Sequence, residues 1–114
     1  LALLLLLCGC ATITTPSGDV LLRGGPEFRN YAADVFRRQN ATLTSMFDAF
    51  EYADDAEAAE LDRAEQRMIE SCAALNSAAS ARRDGKNLDV STLKRVADSV
   101  VACDTATLEA EQLV

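Results

Sequence analysis

Past Pro26 the chain holds one glycine, Gly85, and no further proline. Those two residue types are the strongest punctuation in a sequence. Their scarcity limits the stretch to a few long, uninterrupted elements. Alanine is abundant and strict apolar/polar alternation is scarce, so the elements read as helices rather than strands. The one punctuated segment, Asp84-Gly85-Lys86-Asn87-Leu88-Asp89, is then a turn between two helices. The expected fold is all-α, a three-helix antiparallel bundle with helices over about 26–52, 55–83 and 91–112.

Helix one starts at Pro26, where a missing N–H costs nothing. Phe28, Tyr31, Ala32, Val35, Phe36, Leu43, Met46, Phe47 and Phe50 then fall on one broad face, interrupted by Gln39. All six aromatic residues lie between Phe28 and Tyr52. This ridge either fills the core of the bundle or serves as a docking face for a partner. Core filling is the default.

Asp54 begins the next helix. Asp54 and Glu57 have capping-box spacing, and Asp54, Asp55, Glu57 and Glu60 crowd a first turn where the helix dipole favours negative charge. Arg82, Arg83 and Gly85 supply the matching end. The alternative is one continuous helix over 26–83, about 87 Å long at 1.5 Å per residue. The rest of the chain could not cover its aromatic half, so that form requires oligomerisation. Helix two presents Leu61, Ala64, Met68, Cys72, Leu75 and Ala79. Helix three, capped by Asp89 or Ser91, presents Leu93, Val96, Val100, Cys103 and Thr107.

Cys72 and Cys103 both sit on these core faces. In an antiparallel hairpin, level residues have numbers with a constant sum. The midpoint of this pair, about 87.5, coincides within a residue with the centre of the 84–89 turn, read independently from Gly85 and Asn87. The same register sets Leu75 beside Val100 and Ala79 beside Val96. A Cys72–Cys103 disulfide is expected. It would stabilise a small Ala-rich core by roughly 3–4 kcal/mol in the chain-entropy account.

Ahead of the helices, Leu1 to Leu7 is apolar and uncharged, too short to span a bilayer but suited to the h-region of a signal peptide. It runs into Leu7-Cys8-Gly9-Cys10, with a large aliphatic residue three before the second cysteine and a glycine just before it. This stretch resembles the lipobox of bacterial lipoproteins. The resemblance covers Leu1–Cys10 only. It implies that residues 1–9 are a signal remnant begun within the signal, that Cys10 carries two or three acyl chains, and that the protein is anchored in the cell envelope. Two chains anchor stably where one does not. Ala11 after the cysteine implies the outer membrane, facing the periplasm, over the inner membrane. Export into an oxidising compartment also suits the disulfide. Ala11 to Gly25, rich in Thr, Ser, Pro and Gly, reads as a flexible tether ahead of a 26–114 helical domain. Val20-Leu21-Leu22 is a short apolar patch within it.

The formal charge of −7 argues against nucleic acid as a partner. Residues 51–70 carry much of the excess, with eight acidic and two basic side chains. The absence of histidine removes the commonest general base and most zinc sites. There is no glycine-rich phosphate loop. Asp54, Asp55, Glu57 and Glu60 lack the spacing and glycine of an EF-hand loop, so no catalytic residue, metal or cofactor is expected. The function these features favour is non-enzymatic: an envelope lipoprotein acting by protein–protein contact as an accessory or assembly factor. Its candidate partner surface is Phe28, Tyr31, Phe36, Phe47 and Phe50 with Asp54, Asp55 and Glu57. The alternatives are a coiled-coil spacer built on the long 26–83 helix, and a helical bundle binding a small apolar ligand.

Overall fold

The computed structural model describes residues 11–114; the expected acylation site Cys10 and the stretch 1–9 expected to be a signal segment lie outside the described residues. The chain is mainly helical. A small hairpin of β1 (Thr12–Thr14) and β2 (Val20–Leu22) precedes α1 (Pro26–Tyr52), α2 (Asp55–Ser71), α3 (Ala73–Arg83) and α4 (Val90–Glu111).

The helix ends are where local chemistry places them. Pro26 opens α1, and Ala53 leaves it in an extended conformation. Asp54 caps α2, its Oδ1 accepting from the Glu57 N–H at 2.8 Å. Helices α1 and α2 are therefore separate. The unbroken 26–83 helix on which a spacer would depend does not form. Gly85, at φ +74°, closes α3: Lys86 N–H bonds the Ala81 carbonyl and Gly85 N–H bonds that of Arg82, a Schellman end that needs a left-handed residue. Asp89 caps α4 through the Thr92 N–H at 2.7 Å.

Two expectations need correction. The 55–83 helix is divided at Cys72, whose φ of −96° and ψ of 3° leave the helical region. Backbone bonds to Met68 and from Asn76 continue through it, so the chain kinks rather than unravels. No glycine or proline marks the place. Residues 12–22 are also not the patternless tether their composition suggests. Thr12, Ile13 and Thr14 pair antiparallel with Leu22, Leu21 and Val20. Gly18 turns the chain at φ +94°, and the buried Thr15 hydroxyl accepts from Asp19 N–H. Period-two alternation explains the order. Ile13 and Leu21 are half-buried on the helix side, while Val20 and Leu22 face outward.

Helix directions follow from which residues meet. Cys72 is disulfide-bonded to Cys103, with Cα atoms 4.7 Å apart, and Arg67 reaches Glu109; α4 runs antiparallel to α2 and α3. Tyr31 meets Asp104 and Arg38 meets Glu111, both 73 positions apart; α4 runs parallel to α1. In that register α4 ends level with Arg38. Beyond it α1 extends past the end of α4 toward its joint with α2, so its covered face narrows. Val35 and Met46 are fully buried, and Phe36, Leu43 and Phe50 pack half-buried against the core.

Most of the expected core is buried: Leu61, Ala64, Met68, Cys72, Leu75, Val96, Val100, Cys103 and Thr107. Three positions differ. Ala78 is buried on α3, while Ala79 is only half-buried. Leu93 is 48% exposed, and Phe47 is 83% exposed.

Candidate functional site

The residues expected to form one partner surface are divided by the fold. Phe28 is buried, while Tyr31, Phe36 and Phe50 are half-buried against the core. Phe47 stays outside with Tyr52, which is 85% exposed. Both lie near the α1–α2 joint, where Asp48, Glu51, Asp54, Asp55 and Glu57 are also exposed. The joint is therefore an acidic tip carrying two free aromatic rings. Hydrogen bonds from the Glu57 and Ala56 backbone hold the Asp54 carboxyl below the usual carboxylate range, with the Glu57 bond the larger cause. Its hydrogen bond with Asp54, and then that neighbour's charge, push the Glu57 carboxyl up. Asp54 is thus occupied as a helix cap.

Tyr31 has a different role from the one its place on the ridge suggests. Its hydroxyl donates to Asp104 Oδ2 at 2.6 Å. Arg38 Nη1 donates to Asp104 Oδ1 at 3.0 Å, and its Nε to Glu111 at 3.2 Å. Asp104 is 5% exposed. A buried carboxylate needs partners, and this cluster supplies them across the α1–α4 interface. Burial, then the Asp104 bond and charge, push the Tyr31 phenol well above its ordinary range. Burial works against the Arg38 cation, but Asp104 and Glu111 outweigh it and raise its pKa. The cluster has the marks of a structural cross-link. A signal for it existed in the sequence: Asp104 lies beside Cys103 and three residues before Thr107, on the inward side of α4.

At the other end of α1 lies a feature that no motif announced. Arg23 and Gly24 after the hairpin, the first turns of α1 and α4, the end of α3 and the 84–89 turn line an open cleft of about 1190 Å³. Its walls include Phe28, Leu88, Val90, Leu93 and Ala97. A narrower apolar slot of about 200 Å³ continues from it between α1 and α3, past Ala32, Ala33, Phe36, Leu75, Ala78 and Ala79. The slot exists because α3 presents Ala78 and Ala79 to it, whose side chains are too short to fill the space against Phe28 and Phe36. Arg23, Arg29, Arg82, Lys86 and Lys94 line the cleft, five of the chain's eleven cations. None of its eighteen carboxylates lines either space. Asp98 sits just outside, ion-paired with Arg23 and, at 2.9 Å, with Lys94. Those two bonds, Lys94 first, hold its carboxyl below the usual range.

The chain enters the described fold at this same end. The Ala11 carbonyl accepts from Arg23 N–H at 2.8 Å, and Arg23 lines the cleft. The acidic tip lies at the far end of α1, whose 27 residues span about 40 Å. Among the described residues no helix is long and apolar enough to cross a membrane, and no group of three or more acidic or cysteine side chains is placed to hold a metal ion. Comparison with protein-family models, curated proteins and solved structures finds no match for the chain.

Proposed function

We propose that this protein is a non-enzymatic bacterial envelope lipoprotein, held at the outer membrane through acyl chains on Cys10 and acting as an accessory factor by contact with another envelope protein. On this reading the four helices work as a bundle of three rods, with α2 and α3 a single kinked rod. The observation that carries the proposal is the pair of exposed rings, Phe47 and Tyr52, on an acidic tip about 40 Å along α1 from the end where the chain enters. Exposed aromatic rings are enriched at contact surfaces, whose rims are polar. An anchor beside Ala11 would leave that tip facing away from the membrane. Val20, Leu22 and Val90, all exposed, would lie on the membrane side.

The tip is acidic, so the partner it fits carries a basic rim around an apolar pocket. The test is photo-crosslinking in cells of the lipidated protein, with the crosslinker at position 47 or 52 and a control at exposed Ser77. A discrete adduct from the tip, lost on Asp48→Lys/Glu51→Lys and absent from the control, supports the reading. Equal crosslinking at all three positions, or none, counts against it.

A further inference from the structure

In a chain of net charge −7, a cleft lined by five cations and no carboxylate is also the mouth of an apolar slot. Helix-end electrostatics explains only part of this. Arg82 and Arg83 close α3, where positive charge suits the dipole. Arg29 and Lys94 lie near the starts of α1 and α4, where a cation is disfavoured. Lys94 is matched by Asp98. Arg29, Arg82 and Lys86 have no ion pair among the described residues, and they face a wall of Phe28, Leu88 and Leu93. The slot behind them is dry in character and narrow. At about 200 Å³ it lies below the roughly 300–1,000 Å³ of sites for drug-sized ligands. It follows α1 from Phe28 to Phe36, about 12 Å at helical rise.

We propose that this cleft binds a single-chain anionic amphiphile, its tail in the slot along Phe28, Ala32, Leu75 and Ala78 and its anionic head held by Arg29, Arg82 and Lys86. The small volume, about 200 Å³, favours one acyl chain over two. The apolar wall distinguishes the site from one for a free inorganic anion, which would gain nothing from Leu88 or Leu93. Arginine forks suit a carboxylate or phosphate head. The site lies on described residues alone, so it stands or falls independently of the anchor at Cys10.

The experiment titrates dodecyl phosphate, below its micelle threshold, into the full chain carrying Cys8→Ser and Cys10→Ser so that no acyl group is attached. Binding is read by calorimetry. The expected result is one site per chain, no binding of dodecyltrimethylammonium, and no competition by inorganic phosphate. Arg29→Gln/Arg82→Gln weakens binding by at least about tenfold, the loss of one charge-assisted contact. Ala33→Trp, at an exposed position on the slot wall, abolishes binding while the far-UV dichroism is unchanged. Equal uptake of the cationic amphiphile, no uptake of either, or indifference to both variants overturns the proposal. So does binding to phosphatidylglycerol vesicles without binding of the monomeric amphiphile, which would make the basic end a bilayer-contact patch instead. The comparison of anionic with cationic amphiphile uses the parent chain, so it decides even where a variant fails to fold.

Discussion

Tyr31 and Asp104 share a hydrogen bond of 2.6 Å across the α1–α4 interface, with Arg38 bonded to the other carboxylate oxygen. The pair fixes two helices that run parallel and are joined by no short loop. Phenylalanine at position 31 would remove one donor but leave Arg38 on Asp104. Alanine at position 104 would strip both Tyr31 and Arg38 of their common partner. Removing one side of a hydrogen bond to a charged group costs about 1.5–3 kcal/mol. Tyr31→Phe is therefore expected to cost about 2 kcal/mol and Asp104→Ala more, although half-exposed Arg38 recovers part of its loss from water. Denaturant melts of both variants check the order.

The same pair makes stability depend on alkaline pH. Burial and Asp104 raise the folded phenol of Tyr31 above its ordinary value of 10.0. The unfolded phenol ionises first as pH rises, so this contribution is complete below pH 10 and declines above it. In a Tyr52→Phe background, absorbance titration is expected to show Tyr31 ionising later than free tyrosine. Asp104→Asn is expected to bring the midpoint down.

At the acid end the helix caps dominate. The Glu57 and Thr92 backbone N–H groups hold Asp54 and Asp89, respectively, below the carboxylate value of 3.8. A depressed folded pKa gives stability that is present above pH 3.8 and is lost as pH falls through the folded value. Asp54→Ala and Asp89→Ala are expected to lower the melting temperature by a few degrees at pH 7, a difference that shrinks as pH falls below 3.8.

Much of this architecture was legible in the sequence. Asp54, Gly85 and the Cys72–Cys103 register were read correctly because each is local chemistry or simple arithmetic along a helix, and Asp89 stood beside Ser91 as one of two candidate caps. The kink at Cys72 was not, because hydrogen bonding continues through it and no breaker residue marks it. Nor was the β1–β2 hairpin, since three-residue strands are too short for a periodic signal to stand above Thr, Pro and Gly. The cleft was hidden for another reason. Arg23, Arg29, Arg82, Lys86 and Lys94 come from three separated stretches of the chain, 23–29, 82–86 and 94, and only the fold gathers them. Phe47 shows the limit of the helical wheel, which gives a direction but not whether a neighbour extends that far.

That limit gives a contrast between adjacent residues. Met46 is fully buried and Phe47 is 83% exposed. Met46→Ala is expected to cost about 2–5 kcal/mol, and Phe47→Ala to change stability by less than about 0.5 kcal/mol. If the tip is the contact surface, Phe47→Ala nevertheless abolishes tip crosslinking. Chemical denaturation and the crosslinking assay, run on the same two variants, separate folding from contact.

The disulfide joins residues 31 positions apart. Its loss in Cys72→Ala/Cys103→Ala is expected to lower stability by roughly 3–4 kcal/mol in the loop-closure account. Reduction of the parent protein should lower it comparably, and the double variant should be insensitive to reductant.

The most direct test of an envelope lipoprotein is the intact mass of the membrane-extracted protein, expressed with a complete signal peptide and alkylated at thiols before and after reduction. The predicted result is a chain starting at Cys10 with added acyl mass, and two thiols that react only after reduction. An unmodified mass, with Cys72 and Cys103 alkylated without reductant, would contradict both the anchor and the oxidising location on which the proposed function rests.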